Sequence, residues 1–207
     1  MAKKKVSKKV SKKNETKDDV VKIPGIEVLK ANIKVRAMEG STLLMSRLSD
    51  ETMQELLGAQ MGEAPKPQED RDPKAEFEAA RYLNDDGKDC IPALAFKRAM
   101  SGAAKFIKGI DYGQINGAVF VPGDLIPIKY KKLRMKPDVA RIGTKRIPYM
   151  IFRPEYFGWE ATIPLMYDPS VISPSEIANL ISRAGFSLGV GAWRPQKKGD
   201  HGRFEVA

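Results

Sequence analysis

The sequence predicts an α+β domain whose elements follow the order βαββαβ, with two segments inserted between them. Three observations lead to this prediction. Apolar and polar residues alternate within 26–40, which is typical of a half-buried strand. Two stretches, 91–108 and 173–184, repeat apolar residues at helical spacing. Strand-like stretches at 117–130, 159–168 and 202–206 complete the order, so that each helix joins two strands.

The first strand ends at Gly40 and is followed by an acidic, helical insertion over 49–82. Ser49 is a suitable N-cap for a short helix, and Asp72-Pro73 is a suitable start for a second one. The buried stripe of the first of these helices is expected to consist of Met53, Leu56, Leu57 and Met61.

The helix at 91–108 has two distinct faces. Pro92 fits its first turn and Gly109 fits the position after its end. Its apolar stripe consists of Ala93, Phe96, Met100, Ala103 and Ile107. A second stripe carries Lys97, Ser101, Lys105 and Lys108, and is either an ordinary solvated face or a nucleic-acid contact.

A basic insertion over 126–153 separates the second and third strands. Its prolines disfavour a regular central strand and favour a long hairpin or protruding finger that projects its charge into solvent. Pro164 likewise predicts that the strand at 159–168 is an edge or contains a bulge. The helix at 173–184 is the best capped, with Ser173 as N-cap and Glu176 in a capping box, and a glycine-rich loop joins it to the last strand.

Charge is segregated along the 207 residues, which carry a net charge of +10. Residues 1–19 carry +5, residues 50–89 carry −7 and residues 126–153 carry +8. This pattern predicts a disordered Lys-rich tail over 1–22 and a single domain over 23–207 with a basic and an acidic face. With one cysteine and no long apolar run, we expect a cytoplasmic protein without a disulfide framework or a membrane partner.

Antiparallel βαββαβ sheets backed by two helices are typical of ferredoxin-like and RRM-like domains. The stretch IPALAFKRAM resembles a helix start of RAMP-superfamily proteins, the RRM-based backbone subunits of CRISPR effector complexes. The ending LGVGAWRPQKKGDHGRFEV is similar to the glycine-rich loop and final strand of those domains, although Trp193-Arg194-Pro195 interrupts the glycines and Ala93 and Ala95 replace the usual Gly or Ser. From about residue 26, the chain also resembles an uncharacterised group of tailed-phage proteins with a similar W-R-P-x-K…G-R-F-E-V ending.

The RAMP resemblance implies a module that assembles into an oligomer or filament along single-stranded DNA or RNA, in bacterial host cytoplasm if a phage encodes it. Cations and a stackable aromatic residue are the groups such binding requires. Gly189, Gly191, Gly199 and Gly202 are expected to present backbone N–H groups to phosphates, or else only to permit tight turns. The candidate nucleic-acid-binding side chains are Lys97, Lys105, Lys108, Lys129, Lys131, Lys132, Arg134, Lys136, Arg141, Lys145, Arg146, Trp193, Arg194, Lys197, Lys198 and Arg203.

Two other functions stay open. Segregated charge also suits a virion or assembly protein, in which the acidic segment 50–89 packs on the basic segment 126–153 of a neighbouring copy. An RNA-processing nuclease would need His201, whose visible partner acid in the sequence is Asp200. The chain contains no nucleotide-binding or hydrolase motif, so we expect neither catalysis nor a cofactor or metal.

Overall fold

The computed structural model describes residues 25–63, 71–142 and 147–207. The predicted Lys-rich tail over 1–22 lies outside these residues. The strands are β1 (Leu29–Ala37), β2 (Leu43–Leu44), β3 (Cys90–Pro92), β4 (Val119–Phe120), β5 (Leu125–Lys129), β6 (Lys132–Ile142), β7 (Ile147–Phe157), β8 (Glu160–Tyr167) and β9 (Phe204–Val206). The α-helices are α1 (Asp50–Gln60), α2 (Pro73–Ala79), α3 (Ala93–Ala103), α4 (Tyr112–Ala118) and α5 (Pro174–Ser187).

The main sheet confirms the predicted fold class. Its strand order is β3-β5-β8-β1-β9, and every described pair in it is antiparallel. The elements β1, α3, β5, β8, α5 and β9 follow the order βαββαβ, and their strands lie in the order second, third, first, fourth. This is the ferredoxin-like arrangement of an α+β domain.

Helices α3 and α5 pack together on one face of the main sheet. Phe96 and Met100 of α3 join Leu180 and Ile181 of α5 in one buried cluster with Val35 of β1. The alternation read from the sequence explains this: odd-numbered residues of β1 face the helices, and even-numbered residues face solvent. Helix α5 begins with the predicted capping box, in which the side chains of Ser173 and Glu176 each bond to the other's backbone N–H.

The basic insertion forms a long hairpin, as predicted. Strands β6 and β7 pair from Lys132↔Phe157 to Ile142↔Ile147, and β2 adds a short third strand beside β7. This second sheet extends from the body of the domain, and α2 packs against β7. The sequence therefore located the hairpin correctly but placed it slightly early, at 126–153.

Two expectations about local packing are wrong. The apolar stripe of α1 is exposed rather than buried. The one buried residue of that helix is Gly58. Strand β8 is central rather than an edge, since it lies between β1 on one side and β5 and β4 on the other. Pro164 is tolerated there because β5 pairs with β8 only at 160–161 and β4 only at 166–167, which leaves the interval around Pro164 without a second described strand.

The segment from Gly117 was expected to be extended, but its first two residues end helix α4. Asp111 and Gln114 form a capping box that begins this helix, and Val119 ends it in extended conformation. The capping residues were visible in the sequence, but the helix has only seven residues and its apolar pattern is too short to distinguish helix from strand.

Candidate nucleic-acid interface

The β6–β7 hairpin has two chemically different faces, because side chains alternate along a strand. Lys132, Arg134 and Lys136 share one face with Glu155 and Arg153 of the paired strand, and we call this the charged face. The opposite face, which we call the apolar face, carries Leu133, Met135, Pro137 and Val139 of β6 with Met150, Phe152, Pro154 and Tyr156 of β7. Register alone therefore places Lys132, Arg134, Lys136 and Arg153 on one side of the hairpin, whereas Arg141 falls in register with the apolar face.

The C-terminal loop, residues 188–203, is attached to the charged face through His201. Its Nδ1 lies 2.8 Å from the Thr42 hydroxyl oxygen, and its Nε2 lies 3.0 Å from the Lys136 ammonium nitrogen. Thr42 in turn donates to a Glu155 carboxylate oxygen at 2.8 Å, and Arg134 donates to the other oxygen at 2.9 Å. The loop, the segment before β2 and both hairpin strands therefore meet in one polar chain.

The donors and acceptors of this chain determine the protonation state of His201. A carboxylate only accepts, so the Thr42 O–H donates to Glu155 and its oxygen accepts the Nδ1–H of His201. Nε2 then accepts from Lys136, which requires a neutral ring. Burial, and next the charge of Lys136, lower the pKa of His201 below its ordinary value, which is consistent with that state.

Glu155 supplies the negative end of the same chain. Its side chain is almost fully buried, and burial acts to raise its pKa. Hydrogen bonds from Arg134 and Thr42 outweigh that effect, so the pKa of Glu155 lies below its ordinary value and the carboxylate stays ionised. Arg134 is thereby partly committed to Glu155, although half of its side chain remains exposed.

Trp193 lies on the same side of the hairpin. Its indole N–H donates to the Asp138 carboxylate at 2.5 Å, and Arg153 pairs with the same oxygen of Asp138 at 2.9 Å. The backbone of Trp193 has φ = 49°, a left-handed conformation that is strained for any residue except glycine. The residue is nevertheless 44% exposed, so its aromatic ring is accessible beside the cations and does not belong to the core.

Cations at the base of the hairpin are available to a ligand. Lys129, Lys131 and Lys132 are exposed and form no ion pair with any residue that the structure describes. Lys132 and Arg134 both approach the ring of Phe157, at 5.8 and 5.1 Å from its centroid. Between 129 and 136 the sequence has five cations and no acid, and of these Arg134 is paired with Glu155 from the neighbouring strand.

Other predicted cations are placed differently. The Lys97 ammonium is enclosed by the carbonyls of Asn116 and Val119, so the structure contradicts its predicted role in binding a phosphate. Lys105 and Lys108 are exposed at the end of α3, and Lys105 lies over the ring of Tyr112. They belong to the helix layer rather than to the hairpin.

Some cations of the C-terminal loop contact other groups of the protein, and others are exposed to solvent. Arg194 donates to Gln196 and to the Gly191 carbonyl, and Arg203 lies over the ring of Phe186. Lys197 and Lys198 are exposed. At the hairpin tip, the structure describes only the backbone of Arg141, and Lys145 and Arg146 lie outside the described residues.

The expectation that the loop glycines offer N–H groups to phosphates is wrong for three of them. Gly189, Gly199 and Gly202 donate to the carbonyls of Ala184, Arg194 and Thr42. A Cβ on Gly202 would overlap the Val190 carbonyl, and one on Gly199 would overlap the Trp193 carbonyl. A Cβ on the fourth, Gly191, would approach the Leu44 carbonyl at 2.5 Å. Close backbone packing therefore requires these glycines, which favours the turn alternative for Gly189, Gly199 and Gly202.

Sequence reasoning missed a second cationic surface on the open face of the main sheet. Lys30, Lys34 and Arg36 project from β1 on the side opposite the helices. Lys34 pairs with Glu160 at 3.0 Å and Arg36 with Glu205 at 2.8 Å. The even-numbered spacing of these cations was a visible signal. Their acidic partners become apparent only once β8 and β9 are placed beside β1.

A buried polar cluster around Asp89 was also not predicted. Its carboxylate accepts from Arg81, from the Tyr156 hydroxyl at 2.6 Å and from the Tyr130 hydroxyl at 2.8 Å. Burial raises the pKa of Tyr156, and the bond to Asp89 raises it further. The hydroxyl of Tyr130 therefore has a structural partner, and the cluster fastens the acidic insertion to the base of the hairpin.

Within the described residues, no group of three or more His, Cys, Asp or Glu side chains is arranged to hold a metal ion. No helix in the same part of the chain combines the length and apolar character of a membrane span. The chain matches no protein-family profile and no curated protein. Among solved structures it is similar to the crystal structure of Cmr6 from Pyrococcus furiosus, with a TM-score of 0.42 and 12% identity, over 88% of this chain and 100% of that one. The resemblance to RAMP-superfamily proteins therefore stays a distant one, and the fold assignment rests on the strand order described above.

Proposed function

We propose that this protein binds single-stranded nucleic acid without catalysing a reaction, through a surface made by the base of the hairpin and the C-terminal loop. The observation that carries the proposal is the placement of Trp193, exposed and backbone-strained, on the face that also carries Lys132, Arg134 and Lys136. Sparsely populated backbone conformations persist where the surrounding structure enforces them, and they are common at ligand contacts.

The two kinds of group would perform two tasks. Lys131 and Lys132 have no described ionic partner, so phosphates can replace water and counterions around them without breaking an ion pair. An exposed indole offers a flat apolar surface on which an unstacked base can lie, a contact worth about 1–3 kcal/mol. A base must be unpaired to stack in this way, so the combination favours a single strand over a duplex.

The state of His201 supports a binding role over a catalytic one. Both of its ring nitrogens have hydrogen-bond partners, Thr42 and Lys136, and its pKa is lowered. A general acid or base needs a nitrogen directed at the substrate. The nuclease alternative would require this chain of hydrogen bonds to open, and cleavage lost in a His201→Ala variant would support it.

Oligomeric assembly and origin complete the proposal. The RAMP resemblance supports several copies along one strand, and the W-R-P-x-K…G-R-F-E-V ending supports a phage-encoded protein acting in host cytoplasm. An assembly or virion role is the second candidate, because the apolar stripe of α1 is exposed and suits contact between subunits.

The direct test is titration of fluorescently labelled single strands of DNA and RNA, about 20 nucleotides long, followed by anisotropy at several salt concentrations. Binding should weaken with salt, with a slope of about −0.7 in log K against log [salt] for each phosphate contacted. A matched duplex should bind more weakly. Absence of binding at low salt, or binding that does not change with salt, would overturn the proposal.

A further inference from the structure

Helix α1 presents an apolar stripe that no described part of the chain covers. Met53, Leu56 and Leu57 are 46%, 52% and 56% exposed, and Met61 at its end is 72% exposed. These residues recur at helical spacing and lie on one side of the helix. An isolated helix of 11 residues is only marginally stable in water, so an amphipathic helix of this length is normally stabilised by a partner on its apolar side.

The apolar face of the hairpin has a matching exposed patch. Met135 and Val139 of β6 and Met150 of β7 are 39%, 52% and 51% exposed, and Val139 is directly opposite Met150 in the register. The stripe and the patch are both exposed in the same molecule, so they do not cover each other within one copy. Each is therefore free to receive the other from a second copy.

Charge favours this pairing over a symmetric one. The segment 48–63 contains Asp50, Glu51, Glu55 and Glu63 and no cation, so two α1 helices would bring like charges together. The described strands of the hairpin, 132–142 and 147–157, contain more basic than acidic residues: Lys132, Arg134, Lys136, Arg141 and Arg153 against Asp138 and Glu155. An acidic helix and a basic hairpin attract each other, whereas two helices or two hairpins repel.

We infer that α1 of one copy packs on the apolar face of the β6–β7 hairpin of a second copy. The two surfaces differ, so the contact is head-to-tail. An open assembly then has an unoccupied α1 stripe at one end and an unoccupied hairpin patch at the other. The inference names the contact for the oligomeric part of the proposed function and rests on it. The charged face lies on the other side of the same hairpin, so subunit contact and strand binding do not compete.

Sedimentation velocity of the full chain without nucleic acid tests the contact through two variants. Leu56→Glu adds a charge to α1, and Val139→Glu adds one to the hairpin patch. The wild type should form larger species as its concentration rises, and each variant should sediment as a monomer. Mixed in equal amounts, the two variants should form a dimer and nothing larger, because each retains the surface that the other has lost.

The matched control adds the same charge at an equally exposed leucine outside both surfaces. Leu94→Glu changes a leucine on α3 that is 53% exposed, and should assemble like the wild type. A monomeric wild type, continued assembly of Leu56→Glu, or no association in the mixture would overturn the inference. Circular dichroism confirms that each variant is folded. Each variant should still bind a short oligonucleotide with the wild-type salt dependence, so failure of the contact is distinguishable from failure of strand binding.

Discussion

Removing two lysines at the base of the hairpin gives a quantitative test of the proposed interface. Lys131 and Lys132 are exposed, and neither forms an ion pair with a described residue, so the double change Lys131→Ala/Lys132→Ala leaves no buried acid unpaired. Arg134 is unsuitable for the same test because its loss would expose the charge of the buried Glu155. The double variant should therefore fold normally.

The expected magnitude follows from counterion release. Each phosphate contact contributes about 0.7 to the salt slope for a single strand, so losing two should make the slope shallower by about 1.4. At an ionic strength of about 0.15 M, that difference corresponds to binding weaker by on the order of tenfold. Anisotropy titrations of one labelled oligonucleotide at four or more salt concentrations measure both quantities.

The control is Lys74→Ala/Lys88→Ala, which removes the same net charge from exposed positions in the acidic segment 50–89. Its slope should equal that of the wild type, because local phosphate contacts rather than total charge determine the slope. The reasoning is refuted if the hairpin variant keeps the wild-type slope, or if both double variants lose the same amount.

Further predictions concern the C-terminal loop, the Asp89 cluster and glycines in two helices. Trp193→Ala should weaken binding by about 1–3 kcal/mol without changing the salt slope, because stacking releases no counterions; an altered slope would contradict this. The pKa of His201 is lower in the folded chain than its unfolded value near 6.5, so the unfolded state binds more protons in that interval and stability should fall as pH drops below about 6.5. Urea unfolding at about pH 7.5 and 5.5 should show a smaller pH effect for His201→Gln, and equal effects would exclude the neutral-ring assignment. Asp89→Ala should cost about 3–5 kcal/mol in thermal unfolding, because two N–H donors of Arg81 and two phenol hydroxyls lose their acceptor and Arg81 keeps only Glu78; a cost under about 1 kcal/mol would refute this. Gly185→Ala should be strongly destabilising because its Cβ would overlap a backbone carbonyl of β9, whereas Gly117→Ala, with open space around it, should be neutral or stabilising by up to about 1 kcal/mol, and equal effects would contradict the packing argument.

Local patterns in the sequence were sufficient for most of the framework. Alternation in β1, the capping box at Ser173 and the helical stripe from Ala93 each depend on residues close together in the chain, and the structure contains all three elements. The same local reasoning failed for α1, because an amphipathic pattern shows which side is apolar but not whether anything covers it.

The candidate site was only partly accessible to such reasoning. Clusters of lysine and arginine are visible in any sequence, and the cations between 129 and 136 were identified in this way. Which cations are neutralised depends on residues that are distant in the chain. The Lys97 ammonium donates to carbonyls about 20 residues away, and Lys34 forms an ion pair with Glu160 on a neighbouring strand.

By itself, the sequence determined the order of elements, the place of the two insertions and the segregation of charge, because propensity, capping and periodicity act over a few residues. The tertiary structure alone decided the chemistry of the C-terminal loop. Its glycines pack against backbone carbonyls, and His201 joins Thr42 to Lys136 across 159 and 65 residues of chain. Contacts over such separations are set by how strands and loops are brought together, and short-range patterns contain no information about them.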